Sequence, residues 1–124
     1  LPELPGGLAV VDLCLLAGDG TIAYENRLLF SQKEDQPFAA LQALPAARLR
    51  CARQGDGATI ANEGDAAALF AHLAAPEGDD PALCDDNFLI LLPGESRSVR
   101  ARTAYGDACG ELVLSALNTP EVRI

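Results

Sequence analysis

A chain of 124 residues, 49% hydrophobic and 22% charged, can bury a core, so one domain, or a domain with an appendage, is expected rather than disorder. The formal charge of −9 repels phosphate backbones, so nucleic acid is not an expected partner. No apolar run approaches the ~18 residues of a membrane span and no basic-then-apolar leader opens the chain, so no membrane partner is expected either.

In chain order, Leu8 to Leu16 is an apolar run, Gly18-Asp19-Gly20 is a turn signal, and Thr21 to Phe30 alternates. Together they predict a β-hairpin. Ile22, Tyr24, Asn26, Leu28 and Phe30 fall on one face of its second strand. In the first strand Val11, Leu13 and Leu15 alternate with Val10, Cys14 and Leu16. Both faces therefore read as apolar, and such a hairpin wants cover on both sides. An isolated hairpin is marginal in water. Residues 31–36 are polar, and Pro37 and Pro45 bracket Phe38, Leu41 and Leu44. Residues 31–45 thus read as a linker with one helical turn.

Arg48 to Arg53 alternates, with Leu49 and Cys51 inward and Arg48 and Arg50 outward. Gly55-Asp56-Gly57 turns the chain into a short strand, Thr59 to Asn62, centred on Ile60, and Glu63-Gly64-Asp65 turns it again. Ala66 to Ala75 is ambiguous: its alanines favour helix, whereas the spacing of the flanking turns favours strand. We expect a strand, with Leu69, Ala71 and Leu73 on one face and Phe70 and His72 on the other. After a loop at 76–81 come Phe88 to Leu92, a Pro93-Gly94 corner, Ser96 to Thr103, and Leu112 to Asn118. Ser98, Arg100 and Arg102 alternate with Val99 and Ala101. About six short strands from Pro45 onward predict an all-β fold, an antiparallel immunoglobulin-like β-sandwich with an N-terminal β-hairpin.

Candidate chemistry is sparse. Between Arg53 and Arg97 there is no Lys or Arg, while Asp56, Glu63, Asp65, Glu77, Asp79, Asp80, Asp85, Asp86 and Glu95 are all acidic. That stretch reads as a solvated surface, with the outward arginines as its partners. Asp79, Asp80, Asp85 and Asp86 offer oxygen ligands, but their spacing matches no calcium loop, so calcium at residues 79–86 is left open and no metal or cofactor is expected. Cys14, Cys51, Cys84 and Cys109 form no Cys-x-x-Cys, and His72 is the only histidine, so a zinc site or a Cys–His pair is not expected. Free thiols are preferred over disulfides, and a cytoplasmic setting over a secreted one. Tyr24 and Tyr105 read as packing residues rather than a sugar platform, because no aromatic cluster surrounds them. No carboxylate pair is placed for glycoside hydrolysis. The catalytic expectation is therefore none.

Asp86-Asn87-Phe88-Leu89-Ile90-Leu91-Leu92-Pro93-Gly94-Glu95 resembles a segment of the last immunoglobulin-like domain in β-mannosidase-type enzymes of glycoside hydrolase family 2. The matching residues are Asp86, Asn87, Phe88, Leu91, Leu92, Pro93, Gly94 and Glu95. Leu89 and Ile90 depart from it, standing where an aromatic and an acid are common. Glu25 to Phe30 is similar to the closing strands of the preceding sandwich domain in the same enzymes. The resemblance implies that residues 1–36 are the end of that domain and that 37–124 are the C-terminal sandwich. It also implies a non-catalytic accessory role, since such enzymes carry their catalytic glutamates on a (β/α)₈ barrel, which needs about 200 residues or more. The parent would hydrolyse terminal β-mannosides with retention; an exo-acting glucosaminidase is the nearest variant. Implied partners are the parent's other domains, with a homodimer through the 1–36 hairpin as a further expectation. A start at Leu1 without Met fits an excised, trimmed or processed chain. The alternative is a free-standing carbohydrate-binding or adhesion sandwich.

Overall fold

The structure, a computed structural model, describes residues 3–124. The chain divides into two compact units, Leu1–Leu44 and Pro45–Ile124.

The first unit is a three-stranded antiparallel sheet of β1 (Glu3–Leu4), β2 (Leu8–Leu16) and β3 (Ile22–Ser31), in the order β1-β2-β3. The Gly18-Asp19-Gly20 turn joins β2 to β3, and Asp19 Oδ1 accepts from the Thr21 amide at 3.0 Å and from its hydroxyl at 2.6 Å. Those two bonds hold the Asp19 carboxyl below its usual range. Register pairs Ala9 with Phe30, Val11 with Leu28, Leu13 with Asn26 and Leu15 with Tyr24, which makes one face apolar. The opposite face is apolar at both ends, where Val10 pairs with Leu29 and Leu16 with Ile22, and a charged band interrupts it between them. Asp12 pairs with Arg27 and Cys14 with Glu25 there, and Arg27 Nε lies 2.5 Å from Asp12 Oδ1 and 3.6 Å from Glu25 Oε1. The expected helical turn in the linker is a short 3-10 turn over Ala39–Ala43.

The second unit is a pair of four-stranded antiparallel sheets. One contains β4 (Leu49–Gln54), β5 (Gly57–Asn62), β9 (Ser96–Arg102) and β7 (Leu83–Cys84), in the order β4-β5-β9-β7. The other contains β11 (Thr119–Arg123), β10 (Val113–Ala116), β6 (Ala68–Ala74) and β8 (Leu89–Leu91), in the order β11-β10-β6-β8. Both sheets feed one core: Leu49, Ile60, Val99 and Ala101 from the first, and Ala68, Ala71, Leu73, Leu89, Leu91 and Leu114 from the second. Burying alternate side chains of two facing sheets is the sandwich solution to a sequence of period two. At Gly57 the strands come close enough that a Cβ would sit 2.1 Å from the Val99 carbonyl oxygen.

The alanine-rich segment is the strand β6, because alternation outweighs helix propensity: Leu69, Ala71 and Leu73 are buried while Phe70 and His72 are half-exposed. A bulge interrupts its pairing with β8 between Ala68 and Ala71, and Phe70 inside it has φ +58°. In this unit two strands lie outside the sequence expectation, as β1 does in the first. β7 has only two residues, and β11 carries Pro120, which in sequence argues against a strand. β10 ends at Ala116, earlier than expected, and Asn118 lies in the turn to β11.

Candidate functional site

The segment Asp86–Glu95 contains the edge strand β8 and the turn that leads to β9. Leu92 O accepts from the Glu95 amide at 3.1 Å, closing a turn with Pro93 and Gly94 at its centre. Gly94 has φ +82°, the conformation that a type II turn demands at its third position and that glycine adopts without a Cβ clash. Glu95 Oε2 accepts from the Leu92 amide at 2.9 Å, so the carboxylate clasps its own turn. Leu91 is fully buried, and Leu92 is half-buried beside it.

Asn62, at the end of β5, fastens this corner and was not singled out from sequence. It is 1% exposed. Its Nδ2 donates to Ala66 O at 2.8 Å and to Leu91 O at 2.9 Å, and its Oδ1 accepts from Gly64 N at 3.0 Å. Its main chain donates to Glu95 O and accepts from Gly94 N, both at 2.9 Å. One amide thereby ties β5 of one sheet to β8 of the other through the Pro-Gly turn. A buried amide with every group paired rigidifies a core rather than destabilising it.

Asn118 does the same at the β10–β11 turn. It donates to Pro45 O at 2.9 Å and Ala67 O at 2.8 Å, and accepts from Leu69 N at 3.1 Å. The only sequence signal for either residue is a short polar side chain beside a turn.

The first part of the segment reaches sideways. Asn87 Oδ1 accepts from Leu73 N of β6 at 3.2 Å, a partner 14 residues away. Asp86 is exposed. Phe88 precedes β8 rather than opening it; it is 63% exposed with φ +54°. Its ring lies 5.0 Å from that of His72, tilted by 37°, and His72 Nδ1 lies 3.2 Å from Phe70 O. His72 thus has an aromatic neighbour, not an acid.

Three outward arginines are paired with acids of the 53–97 stretch. Arg50 meets Glu63 at 2.7 Å, Arg100 meets Asp85 at 3.3 Å, and Arg102 meets Asp56 at 2.5 Å. The Arg102 hydrogen bond holds the Asp56 carboxyl below its ordinary range. Arg48 donates instead to the Glu63 carbonyl at 2.6 Å. The four aspartates of residues 79–86 do not converge. Asp79 and Asp80 line a groove of about 410 Å³ with Glu111, whereas Asp85 lines another of about 430 Å³ beside Arg100 and Arg102. Among the described residues no group of three or more His, Cys, Asp or Glu is placed to hold a metal.

All four cysteines are free. Burial pushes the Cys51 and Cys84 thiols up, the opposite of what a nucleophile needs. Tyr24 and Tyr105, expected to pack, are both exposed and lie in different units.

Two facing antiparallel sheets with a corner fastened by amides make an immunoglobulin-like β-sandwich. Residues 29–119 match the family model of the exo-β-D-glucosaminidase Ig-fold domain, and the chain belongs to that family. Among solved structures, it is similar to an exo-β-D-glucosaminidase, CsxA, studied with a glucosamine-configured castanospermine (16% identity, TM-score 0.65, 100% of this chain and 19% of that one). It is also similar to the exo-chitosanase CsxA of Amycolatopsis orientalis (17% identity, TM-score 0.62, 100% and 19%). A complex of the latter with PNP-β-D-glucosamine matches likewise (14% identity, TM-score 0.65, 100% and 19%). At these identities the likeness shows the fold alone, and the chain spans about a fifth of each matched chain. A search of curated proteins finds no match.

Proposed function

We propose that the chain is a non-catalytic accessory domain of a larger family 2 glycosidase. The parent removes terminal β-linked D-glucosamine, and this piece braces its other domains. The observation that carries the reading is the membership of residues 29–119 in a glucosaminidase Ig-fold family. Supporting it, the motif's side chains are engaged in fastening the sandwich: Asn87 on β6, Glu95 on its own turn, Leu91 in the core. In this reading residues 1–36 close a preceding sandwich domain and residues 37–124 form the C-terminal one.

The test is hydrolysis of aryl β-D-glucosaminides by the 124-residue chain and by the longer polypeptide that contains it. Turnover by the longer polypeptide alone is the expected result. Turnover by pure 124-residue chain, lost on Asp86→Asn, would overturn the accessory role. A second reading, a parent specific for β-mannosides, is favoured by the likeness of Asp86–Glu95 to β-mannosidase-type enzymes. Preference of the longer polypeptide for the mannoside would select it.

A further inference from the structure

Among the described residues Tyr105 is the most exposed of the large hydrophobic side chains, at 84%. It stands at the tip of a turn that is bonded to itself. Thr103 N donates to Asp107 O at 2.9 Å and Gly106 N to Thr103 O at 3.0 Å. Thr103 Oγ1 accepts from Tyr105 N and from Asp107 N, each at 3.3 Å. Arg102 and Ala108 pair at the base of the turn. A ring held out on a fixed backbone has little conformational entropy left to lose on binding.

The turn walls the groove of about 430 Å³, a size found among small-ligand sites. Ala104 and Gly106 line it, which sets Tyr105 at its rim. Leu83, itself exposed, supplies an apolar patch. Asp85, Arg100 and Arg102 supply the polar part. Asp85 accepts from Arg100 N at 2.8 Å and from Arg100 Nε at 3.3 Å, and Arg102 Nε donates to Asp56 Oδ2 at 2.8 Å. These pairs decide the ligand class. An anion must displace a carboxylate to reach either guanidinium, and a purely apolar ligand would strip both pairs of water. Sugar hydroxyls donate and accept, so they bond to fixed acid–base pairs without breaking them. A guanidinium has five N–H donors and a carboxylate about four acceptor sites, more than one ion pair uses. The C–H face of a pyranose ring is apolar and suits the tyrosine ring. Thr103 also lines the second groove, whose lining includes Asp79, Asp80 and Glu111 and no lysine or arginine. A saccharide that crosses this shared wall meets negative charge, which favours sugars bearing ammonium groups over neutral ones. We propose that the Tyr105 turn and its groove form a non-catalytic binding site for a short β-linked oligosaccharide of amino sugars. The inference deepens the glucosaminidase reading and rests on it for the choice of a β-linked glucosamine unit.

The experiment titrates the isotope-labelled 124-residue chain with a β-1,4-linked glucosamine tetramer and follows the backbone amides by NMR. It is run in mildly acidic buffer, where the amino groups are charged, and at about 150 mM salt, where loose charge attraction is screened. Saturable shifts confined to residues 83–85 and 100–106 are the expected result. Tyr105→Ala should weaken binding by about tenfold, and Arg100→Ala by a smaller factor. Tyr24→Ala, an equally exposed tyrosine in the other unit, should leave binding unchanged. Cellotetraose, the neutral counterpart, should bind at least about fivefold more weakly. Spectra of the free variants, unchanged away from the turn, show that each still folds. Absence of saturable shifts at those residues would overturn the proposal. So would shifts spread over all the acidic loops, which would mean charge attraction alone, and so would equal affinity for cellotetraose. Binding by the chain, with a longer polypeptide that cleaves no β-D-glucosaminide, would sink the functional reading and leave the site standing. Cleavage by the longer polypeptide, with no binding at the groove, would sink the site alone.

Discussion

The hairpin face and the Pro-Gly corner are built from similar apolar strands yet end in opposite states. At the corner Leu91 is buried, and Asn62 pairs its side-chain groups with Ala66, Leu91 of β8 and Gly64. On the hairpin Leu15, Tyr24 and Phe30 face solvent. Both lie in paired strands whose ladders each contain one irregularity, so strand pairing does not make the difference. What differs is the second layer. A sheet acquires a core only when another sheet's side chains interdigitate with it.

The contrast predicts a steep gradient of mutational cost. In the 124-residue chain Leu91→Ala should destabilise the second unit by about 2–5 kcal/mol, whereas Leu15→Ala should cost less than about 0.5 kcal/mol. Urea denaturation followed by far-UV circular dichroism measures both. Similar costs would mean that the hairpin already has a core. Asn62→Ala should come next, at about 2–3 kcal/mol, because it strands the Leu91 and Ala66 carbonyls and the Gly64 amide. A loss under about 1 kcal/mol would show that water replaces the amide and that the corner is looser than its geometry.

Smaller effects sharpen the picture. Phe88 holds a left-handed backbone that glycine adopts freely, so Phe88→Gly should change stability by no more than about 1 kcal/mol in either direction. A larger loss would give the His72 stack a structural weight that its exposure argues against. The smallest effect is electrostatic. Arg102 favours the charged form of Asp56 only in the folded chain. Its contribution is therefore present above the ordinary carboxylate value of 3.8 and lost as the pH falls through the lower folded value. Asp56→Asn should flatten that part of the acid-denaturation curve, and the difference should shrink in salt.

Much of the sandwich is legible in the sequence because its strands alternate. Leu49, Ile60, Val99 and Ala101 point inward as period two requires. The short β7 and the Pro-bearing β11 are not legible, since they exist only as partners of strands already in place. The faces of the hairpin were half legible. Val10, Cys14 and Leu16 suggest a second apolar side, and only the register shows the charged band, Asp12 opposite Arg27 and Cys14 opposite Glu25, that divides the Val10–Leu29 pair from the Leu16–Ile22 pair. Asn62 is invisible because one of its partners, Leu91, lies 29 residues away. The motif at residues 86–95 points to a glycosidase domain without naming the sugar, and there is a physical reason. Asn87, Leu91, Pro93, Gly94 and Glu95 serve the fold, a duty that relatives acting on different sugars can share.

The edges of the sheets bear on how such a chain goes wrong. In the sandwich, β7 has two residues and β8 three, too short to template another strand. β4 is flanked and lined by Arg48, Arg50 and Arg53, and β11 carries a bulge, Pro120, Glu121 and Arg123. Each is a recognised deterrent to edge-to-edge pairing. The ten-residue β3 has none of these at its apolar end, where Leu28, Leu29 and Phe30 follow one another. Misassembly of the chain should therefore begin at β3, and fibril-forming contacts should propagate from the hairpin while the sandwich rides along intact.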